Sequence, residues 1–266
     1  MGNKDAVWQK WRNFARQKAR KEETNEMDVY GVLLVVGFVA GALSGSVGFG
    51  GGMILLPVIT YFYGVEVAVP VSTIAQMLSN MSRAAMGWSE IKWKHVAWFL
   101  VPAVPFTILG AYGFAHVDKV LMTRLLCSFL IVFSIMKMTG KLHLPKGRST
   151  MLVGGGLTGC LNGLLGISGP ISSAVFLTLE LAPVSYIASE AAAAAAMHVV
   201  KALTYGKFDL MSGSIFMNGV FIGCAMMTGN VLSMRLIKLA NKKVYQRVVA
   251  VAMMLVSLWL IVSVKA

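Results

Sequence analysis

The sequence predicts an all-α polytopic membrane protein of about eight transmembrane segments. These form two four-segment repeats, and the first segment of each repeat is broken at a glycine-rich motif. Of 266 residues, 57% are hydrophobic and only 13% are charged, about half the charged share of an ordinary soluble domain. Apolar runs such as 96–115 and 248–264 approach the roughly 20 residues that cross a bilayer. Finally, two glycine-rich stretches recur at one fixed spacing.

The candidate segments are apolar runs between polar or charged breaks. In order, they are 29–63, 67–88, 95–115, 120–138, 151–179, 185–204, 211–232 and 244–264. The first and fifth are too long for one straight crossing and contain glycines near the middle, which predicts broken helices. We divide the chain into a tail over 1–28, a first repeat over 29–140, a linker over 141–150 and a second repeat over 151–266.

The tail over 1–28 is polar and rich in Lys and Arg. It lacks the short apolar core and small-residue cleavage site of a signal peptide. Val7, Trp11, Phe14 and Lys18 recur at helical spacing, which suits an amphipathic helix on an anionic lipid surface. A solvated, partly disordered tail is the alternative of equal weight.

The net charge of +13 comes from basic residues between apolar runs, so we expect no nucleic-acid partner. Loops that stay in the cytoplasm collect Lys and Arg, which places the N-terminus in the cytoplasm and the chain in the bacterial inner membrane. With eight crossings, most of the 24 Lys and Arg residues face inward, whereas re-entrant first and fifth segments would divide them equally. Spanning segments are favoured and make the halves parallel repeats, although the basic stretch 235–247 then faces outward.

The internal repeat appears when the chain slides on itself by 118 residues, which lays the stretch 41–52 over 159–170. A non-helical break in a bilayer survives only where it is buried or lines a cavity. Glycine lets a ligand approach the backbone, and a helix that begins after the break points its unpaired N–H groups and positive dipole end there. The two breaks therefore predict an anion cradle, with close packing through small residues as the alternative. Its members are Gly48, Gly50, Gly51, Gly52, Gly166, Ser168 and Gly169.

The same offset superposes polar residues on the next segments. Asn80 falls on His198, and Arg83 falls on Lys201. Each pair is spaced i, i+3, so its members share one helix face. Two cations in equivalent places suit the oxygens of an oxyanion, and Asn80 and His198 would add hydrogen bonds. The alternative is that both cations only snorkel at cytoplasmic helix ends.

Glu190 lies well inside the sixth segment, where a carboxylate is a functional hypothesis by default. We predict that it couples transport to protons. It could equally pair with Lys201 or His198, or lie at the outer interface. Its repeat equivalent is Ser72, so any such role is asymmetric. On the second segment, Gln76 and Thr73 are weaker candidates for polar contacts with a ligand; neither carries a charge.

The sequence has no paired-carboxylate, Ser–His–Asp or metal-ligand spacing and no phosphate-binding loop. We therefore expect no enzyme, no metal and no other cofactor. Cys127, Cys160 and Cys224 lie in apolar runs without CxxC spacing and are interpreted as small buried residues. Because Cys160 lies inside the second motif, a membrane-embedded thiol or sulfur-transfer protein stays an alternative.

The motif Gly41-x-x-Ser-Gly-x-x-Gly-x-Gly-Gly-Gly52, followed by Pro57 and by the looser copy at 159–170, resembles the TauE/SafE membrane transporters. The resemblance covers 29–264, leaves out the tail, and departs at Ser168-Gly169-Pro170, where the first copy has three glycines. It implies movement of small sulfur-containing anions, such as sulfite, sulfoacetate or other organosulfonates, across the bacterial cytoplasmic membrane.

We therefore expect a secondary transporter that exports such an anion by alternating access, with its two halves moving against each other. A passive anion channel is the alternative. The expected partners are the small anion and the lipid bilayer, and a homodimer is left open.

Overall fold

A computed structural model describes residues 28–46, 48, 50–139 and 144–236. Every regular element in these ranges is helical, which confirms the all-α class. The helices are α1 Asp28–Ser46, α2 Gly51–Tyr63, α3 Val65–Met86, α4 Trp93–His116, α5 Lys119–Thr139, α6 Arg148–Leu165, α7 Gly169–Leu177, α8 Pro183–Lys207 and α9 Gly213–Leu236, with a short 3₁₀ turn at Trp88–Glu90. The tail, the eighth segment and most of the stretch 235–247 lie outside the described residues.

Three of the described helices are long and apolar enough to cross a membrane, namely α1, α4 and the Gly213–Met234 part of α9. The outward-facing side chains are strongly apolar: Leu109 exposes 62% of its surface and Leu203 exposes 68%. Three charged side chains, those of Arg83, Glu190 and Lys201, are instead buried inside. This distribution, apolar outside and ionic inside, is what a bilayer requires of its proteins.

Two interruptions divide helices that follow each other in the chain. The first lies between Ser46 and Gly51, and the second lies between Leu165 and Gly169. Pro170 stands in the first turn of α7, where its missing N–H leaves no bond unmade.

The residues that close α1 and α6 have the same conformation. Gly48 has a φ of 87° and Gly166 a φ of 76°, in the left-handed region that glycine enters without steric cost. The Gly48 N–H donates to the Ser44 carbonyl at 2.8 Å, and the Gly166 N–H donates to the Asn162 carbonyl at 3.0 Å. Both helices therefore end in a left-handed cap that satisfies a terminal carbonyl.

Glycines bring helices that are not neighbours in the chain into backbone contact. A side-chain carbon at Gly41 on α1 would collide with the backbone of Met226 on α9. A side-chain carbon at Gly159 on α6 would likewise collide with the backbone of Ala103 on α4. Such contacts are typical of small residues at helix interfaces in membranes. They pack α1 on α9 and α6 on α4.

The centre of the described structure is formed by α3 and α8, which pack against each other. The α3 helix also packs on α9, and α8 packs on α4. These two central helices carry the buried ionic side chains. The two short helices α2 and α7 contact each other beside them, so their N-termini come close to the buried charges.

Candidate functional site

A small cavity lies where the first turns of α2 and α7 face α3 and α8. The empty space between its lining residues is about 370 Å³, a figure that includes the solvent space at its opening. From the two interruptions, the predicted residues on its wall are Gly50, Gly51, Gly52, Ser168 and Gly169. From the central helices, they are Asn80, Arg83 and Glu190.

Two glycines of the predicted cradle stand just behind this wall. The Gly48 carbonyl accepts a hydrogen bond from Arg83 Nη1 at 2.6 Å. The Gly166 carbonyl accepts a longer one from Gln76 Nε2 at 3.4 Å, and Gln76 itself lines the cavity. Thr73 does not line it, and its hydroxyl donates to the Val69 carbonyl within α3.

Arg83 connects the end of α1 with the cavity. Its guanidinium is only 3% exposed, and Nη1 also donates to the Ser44 carbonyl at 3.3 Å. Nη2 donates to Asn80 Oδ1. A cation at the carbonyl end of a helix is favourable because the helix dipole is negative there. Arg83 is thus a buried, fixed positive charge on the cavity wall, and it does not snorkel outward.

Glu190 forms an ion pair with Arg83 on the cavity wall. Its Oε2 lies 3.5 Å from Arg83 Nη1, and its Oε1 accepts a hydrogen bond from Ser172 Oγ at 2.7 Å. The side chain is 1% exposed. The sequence left two alternatives open for Glu190. It does not pair with Lys201 or His198, because its ion-pair partner is Arg83. It does not lie at an exposed interface, because it is buried.

Lys201 and His198 lie outside the cavity wall. Both are fully buried, so Lys201 does not snorkel either. Lys201 Nζ donates to the Asn162 carbonyl at 3.2 Å and to Asn162 Oδ1 at 3.0 Å. Neither ring nitrogen of His198 has a hydrogen-bond partner among the described residues. The two cations make corresponding contacts: Arg83 donates to the Ser44 carbonyl and Lys201 donates to the Asn162 carbonyl. Each residue of the second pair lies 118 positions after its counterpart in the first.

Sequence reasoning missed several polar residues around the cavity. Asn230 on α9 donates from Nδ2 to the Ser79 carbonyl at 3.0 Å, while its Oδ1 accepts from Ser44 Oγ at 3.1 Å. Two more were missed: Asn162 on α6, which accepts hydrogen bonds from Lys201, and Ser172 on α7, which donates one to Glu190. The sequence could have indicated the two asparagines, since an amide inside an apolar segment needs buried hydrogen-bond partners. It contained no comparable indication for Ser172.

None of the three cysteines lines the cavity. Cys160 is half-buried and Cys224 is exposed, so the expectation of burial holds only for Cys127. A thiol behaves as a small apolar group, which lets it stand on an outward face of an apolar helix. Cys160 does not line the cavity. Within the described ranges, no group of three or more His, Cys, Asp and Glu side chains is placed to hold a metal ion.

Comparison with known proteins identifies the family. A family model described as "Sulfite exporter TauE/SafE" matches residues 33–260. A probable membrane transporter protein of Methanocaldococcus jannaschii is 27% identical over 171 residues, which covers 58% of this chain and 63% of that relative. Both names describe transporters, and the apolar helices agree with a multi-pass membrane protein. Because the family model covers most of the chain, this protein belongs to the TauE/SafE family of membrane transporters.

Proposed function

We propose that the chain is a secondary transporter that exports small sulfur-containing anions, such as sulfite, sulfoacetate or other organosulfonates. The anion binds in the cavity between the first turns of α2 and α7. The observation that carries the proposal is a buried arginine, Arg83, on the wall of a cavity that two helix N-termini also line. The preference for sulfur compounds and the export direction rest on the family description.

The cavity offers donors of the kind that an oxyanion needs. The first N–H groups of α2 and α7 have no partner within their own helices, and the dipole makes those ends positive. At Gly50, where no atom lies within 4 Å of the place of a side-chain carbon, the backbone before α2 is open to a ligand. Arg83 adds a full charge with donors in a fixed fork. A small anion with several oxygens can contact all three elements at once.

Glu190 supplies the proposed coupling to protons. Its carboxylate lies 3.5 Å from Arg83, so it competes with a substrate anion for the same positive charge. Protonation of Glu190 removes this competitor and makes Arg83 available to the substrate. The groups that face Glu190 are Arg83 from α3, Ser172 from α7 and Tyr186, one turn earlier on α8. A proton and an anion would therefore bind together.

The two-repeat organisation, with repeats over 29–140 and 151–266, is part of the proposal. Helix starts 118 residues apart support it, with Gly51 matching Gly169 and Val65 matching Pro183. The two left-handed caps support it as well. We retain eight segments, a cytoplasmic N-terminus and alternating access. Because α1 packs on α9 and α6 packs on α4, each moving body would combine helices from both halves of the sequence.

The test is flux through the purified protein in proteoliposomes, with sulfite, sulfate, sulfoacetate and taurine as substrates. We expect saturable sulfite flux that responds to a proton gradient, and little flux of taurine, which has no net charge at neutral pH. A flux that neither saturates nor follows the gradient would favour the channel.

Arg83→Met removes the charge from the cavity wall and keeps an unbranched apolar side chain. We expect sulfite flux to fall about tenfold or more, because the loss of a buried charge partner is costly to binding. Lys207→Met makes the matched change at an exposed lysine at the end of the same central helix pair and should leave flux unchanged. Wild-type flux in Arg83→Met would refute the site.

A further inference from the structure

We propose a second anion site, formed by Lys201, Asn162 and His198 in the second half of the chain. The inference rests on the proposed function and would take the same class of ligand, a small oxyanion. It adds a second binding site at a different place, because these three residues lie off the wall of the cavity that contains Arg83. The transported anion would then have two binding stations, one in each repeat.

The buried charges of the described residues do not balance. Two buried cations, Arg83 and Lys201, accompany one buried acid, Glu190. Glu190 already faces Arg83 at 3.5 Å, so Lys201 has no acidic partner in this part of the molecule. The stretch 237–266 cannot supply one, since it contains neither Asp nor Glu. A buried cation without a counter-ion is strongly unfavourable, and a bound anion would neutralise it.

The donors around Lys201 are also unsatisfied. Both hydrogen bonds of its ammonium go to Asn162, which leaves one of its three N–H donors free. Asn162 Nδ2 and both ring nitrogens of His198 have no partner among the described residues. Buried polar groups are normally hydrogen-bonded. Unpartnered nitrogens next to an uncompensated cation indicate a ligand that is negatively charged and has several acceptor atoms.

These groups can reach one ligand together. His198 and Lys201 are spaced i, i+3 on α8, so they share a face. Asn162 Nδ2 belongs to the same amide whose oxygen contacts Lys201 at 3.0 Å. Lys201 and Asn162 meet near the end of α6, where Gly166 closes the helix, and we place His198 beside them because it shares a face of α8 with Lys201.

Comparison of the two halves explains why the second one needs a ligand. In the first half, Arg83 binds the Ser44 carbonyl and has Glu190 as its counter-charge. The residue 118 positions before Glu190 is Ser72, which is fully buried and whose hydroxyl has no partner in the described structure. The position that holds a carboxylate for one cation thus holds a neutral hydroxyl in the other repeat. Among the described residues, only one of the two buried cations has an acidic partner.

The number of bound anions tests the second site. Equilibrium dialysis of radiolabelled sulfite under anoxic conditions, with the full chain in lipid nanodiscs, should give two equivalents per chain for the wild type. Lys201→Met and Arg83→Met should each retain one equivalent. Lys207→Met, the matched change at an exposed lysine six residues after Lys201, should retain two.

The outcomes separate the second site from the proposed function. One equivalent in the wild type that survives in Lys201→Met and disappears in Arg83→Met would overturn the second site and leave the cavity site standing. One equivalent that disappears only in Lys201→Met would overturn the cavity site. A single equivalent lost in both variants would mean one shared site and would also overturn the inference.

A second variant guards against misfolding of Lys201→Met. His198→Leu replaces the unpartnered ring by an apolar side chain and keeps the charge of Lys201. We expect about tenfold weaker binding at one of two sulfite sites and unchanged binding at the other. Two unaltered sites in a variant with normal thermal unfolding would remove His198 from the site and contradict the proposal.

Discussion

Arg83 on α3 and Glu190 on α8 form a buried ion pair on the cavity wall, with 3.5 Å between Nη1 and Oε2. The pair therefore joins the two halves of the sequence at the place where the proposed substrate binds. A buried ion pair contributes little net stability, because desolvation of both charges offsets their attraction. Under the proposed function, competition between Glu190 and a substrate anion would give this pair a role in transport.

Glu190→Gln should separate the two roles of this carboxylate. The amide keeps the shape and an acceptor for Ser172 but leaves Arg83 without a counter-charge. We expect the ligand-free protein to lose about 3 kcal/mol of stability, and sulfite to bind roughly tenfold more tightly because its competitor is gone. Thermal unfolding with and without sulfite measures both effects.

The pH dependence of sulfite binding shows whether protonation of Glu190 favours or opposes the bound anion. Wild-type sulfite binding should strengthen as the pH falls, because protonation removes the negative charge beside Arg83. In Glu190→Gln this dependence should shrink to the part that comes from protonation of sulfite itself. The control is Glu180→Gln, at an exposed carboxylate paired with Lys146, which should behave like the wild type. A Glu190→Gln protein that keeps the wild-type pH profile contradicts proton coupling at this residue.

Gly52→Ala should weaken binding without preventing insertion. A side-chain carbon at Gly52 would collide with the amide of Gln76 on the cavity wall, and that flexible amide would have to move into the cavity. We expect sulfite affinity to fall about tenfold, as for other displaced groups in a small polar site. Gly31→Ala on α1, where no atom lies within 4 Å, is the matched control. Equal dissociation constants for the two variants would count against this wall of the site.

Gly159→Ala should destabilise the protein itself. The new carbon would meet the backbone carbonyl of Ala103, and the main chain of α4 cannot yield as a side chain can. We expect a loss of about 2–3 kcal/mol, in the upper part of the range for overpacked cores. Gly156→Ala on the same helix, with its nearest atom 3.5 Å away in Phe106, should change stability little. Thermal unfolding of both variants in detergent compares them directly.

Cys160→Ser distinguishes the transporter from the thiol alternative. Cys160 is half-buried on α6 and off the cavity wall, so serine should leave sulfite flux within about twofold of the wild type. Complete loss of flux, with normal expression and unfolding temperature, would instead favour sulfur-transfer chemistry at this thiol. The same proteoliposome assay serves for the measurement.

The sequence contained strong signals for the helical class and for the positions of Asn80, Arg83 and Glu190. A carboxylate and an arginine inside apolar segments must face the interior, since lipid cannot solvate them. The offset of 118 residues predicted which positions of the two halves are equivalent. It could not determine whether equivalent side chains face one common space. For this reason Lys201 and His198, expected beside Arg83, instead lie off the cavity wall.

Other contacts were beyond the reach of sequence reasoning for physical reasons. Ser172 looks like any small residue that a membrane helix tolerates, and its bond to Glu190 depends on the angle between α7 and α8. Glycines at Gly41 and Gly159 inside apolar helices indicate that the backbone of another helix packs closely there. They do not say which helix supplies that backbone, because packing partners distant in the chain leave no local pattern.

The backbone contacts of Gly41 with Met226 and of Gly159 with Ala103 have a consequence for how the protein assembles. Under the proposed duplication, neither half can complete its own interior, because each lends its opening helix to the other. A single half would bury these surfaces only as a pair of subunits that swap helices. The chain is therefore equivalent to a domain-swapped dimer whose two subunits have been joined by a peptide link.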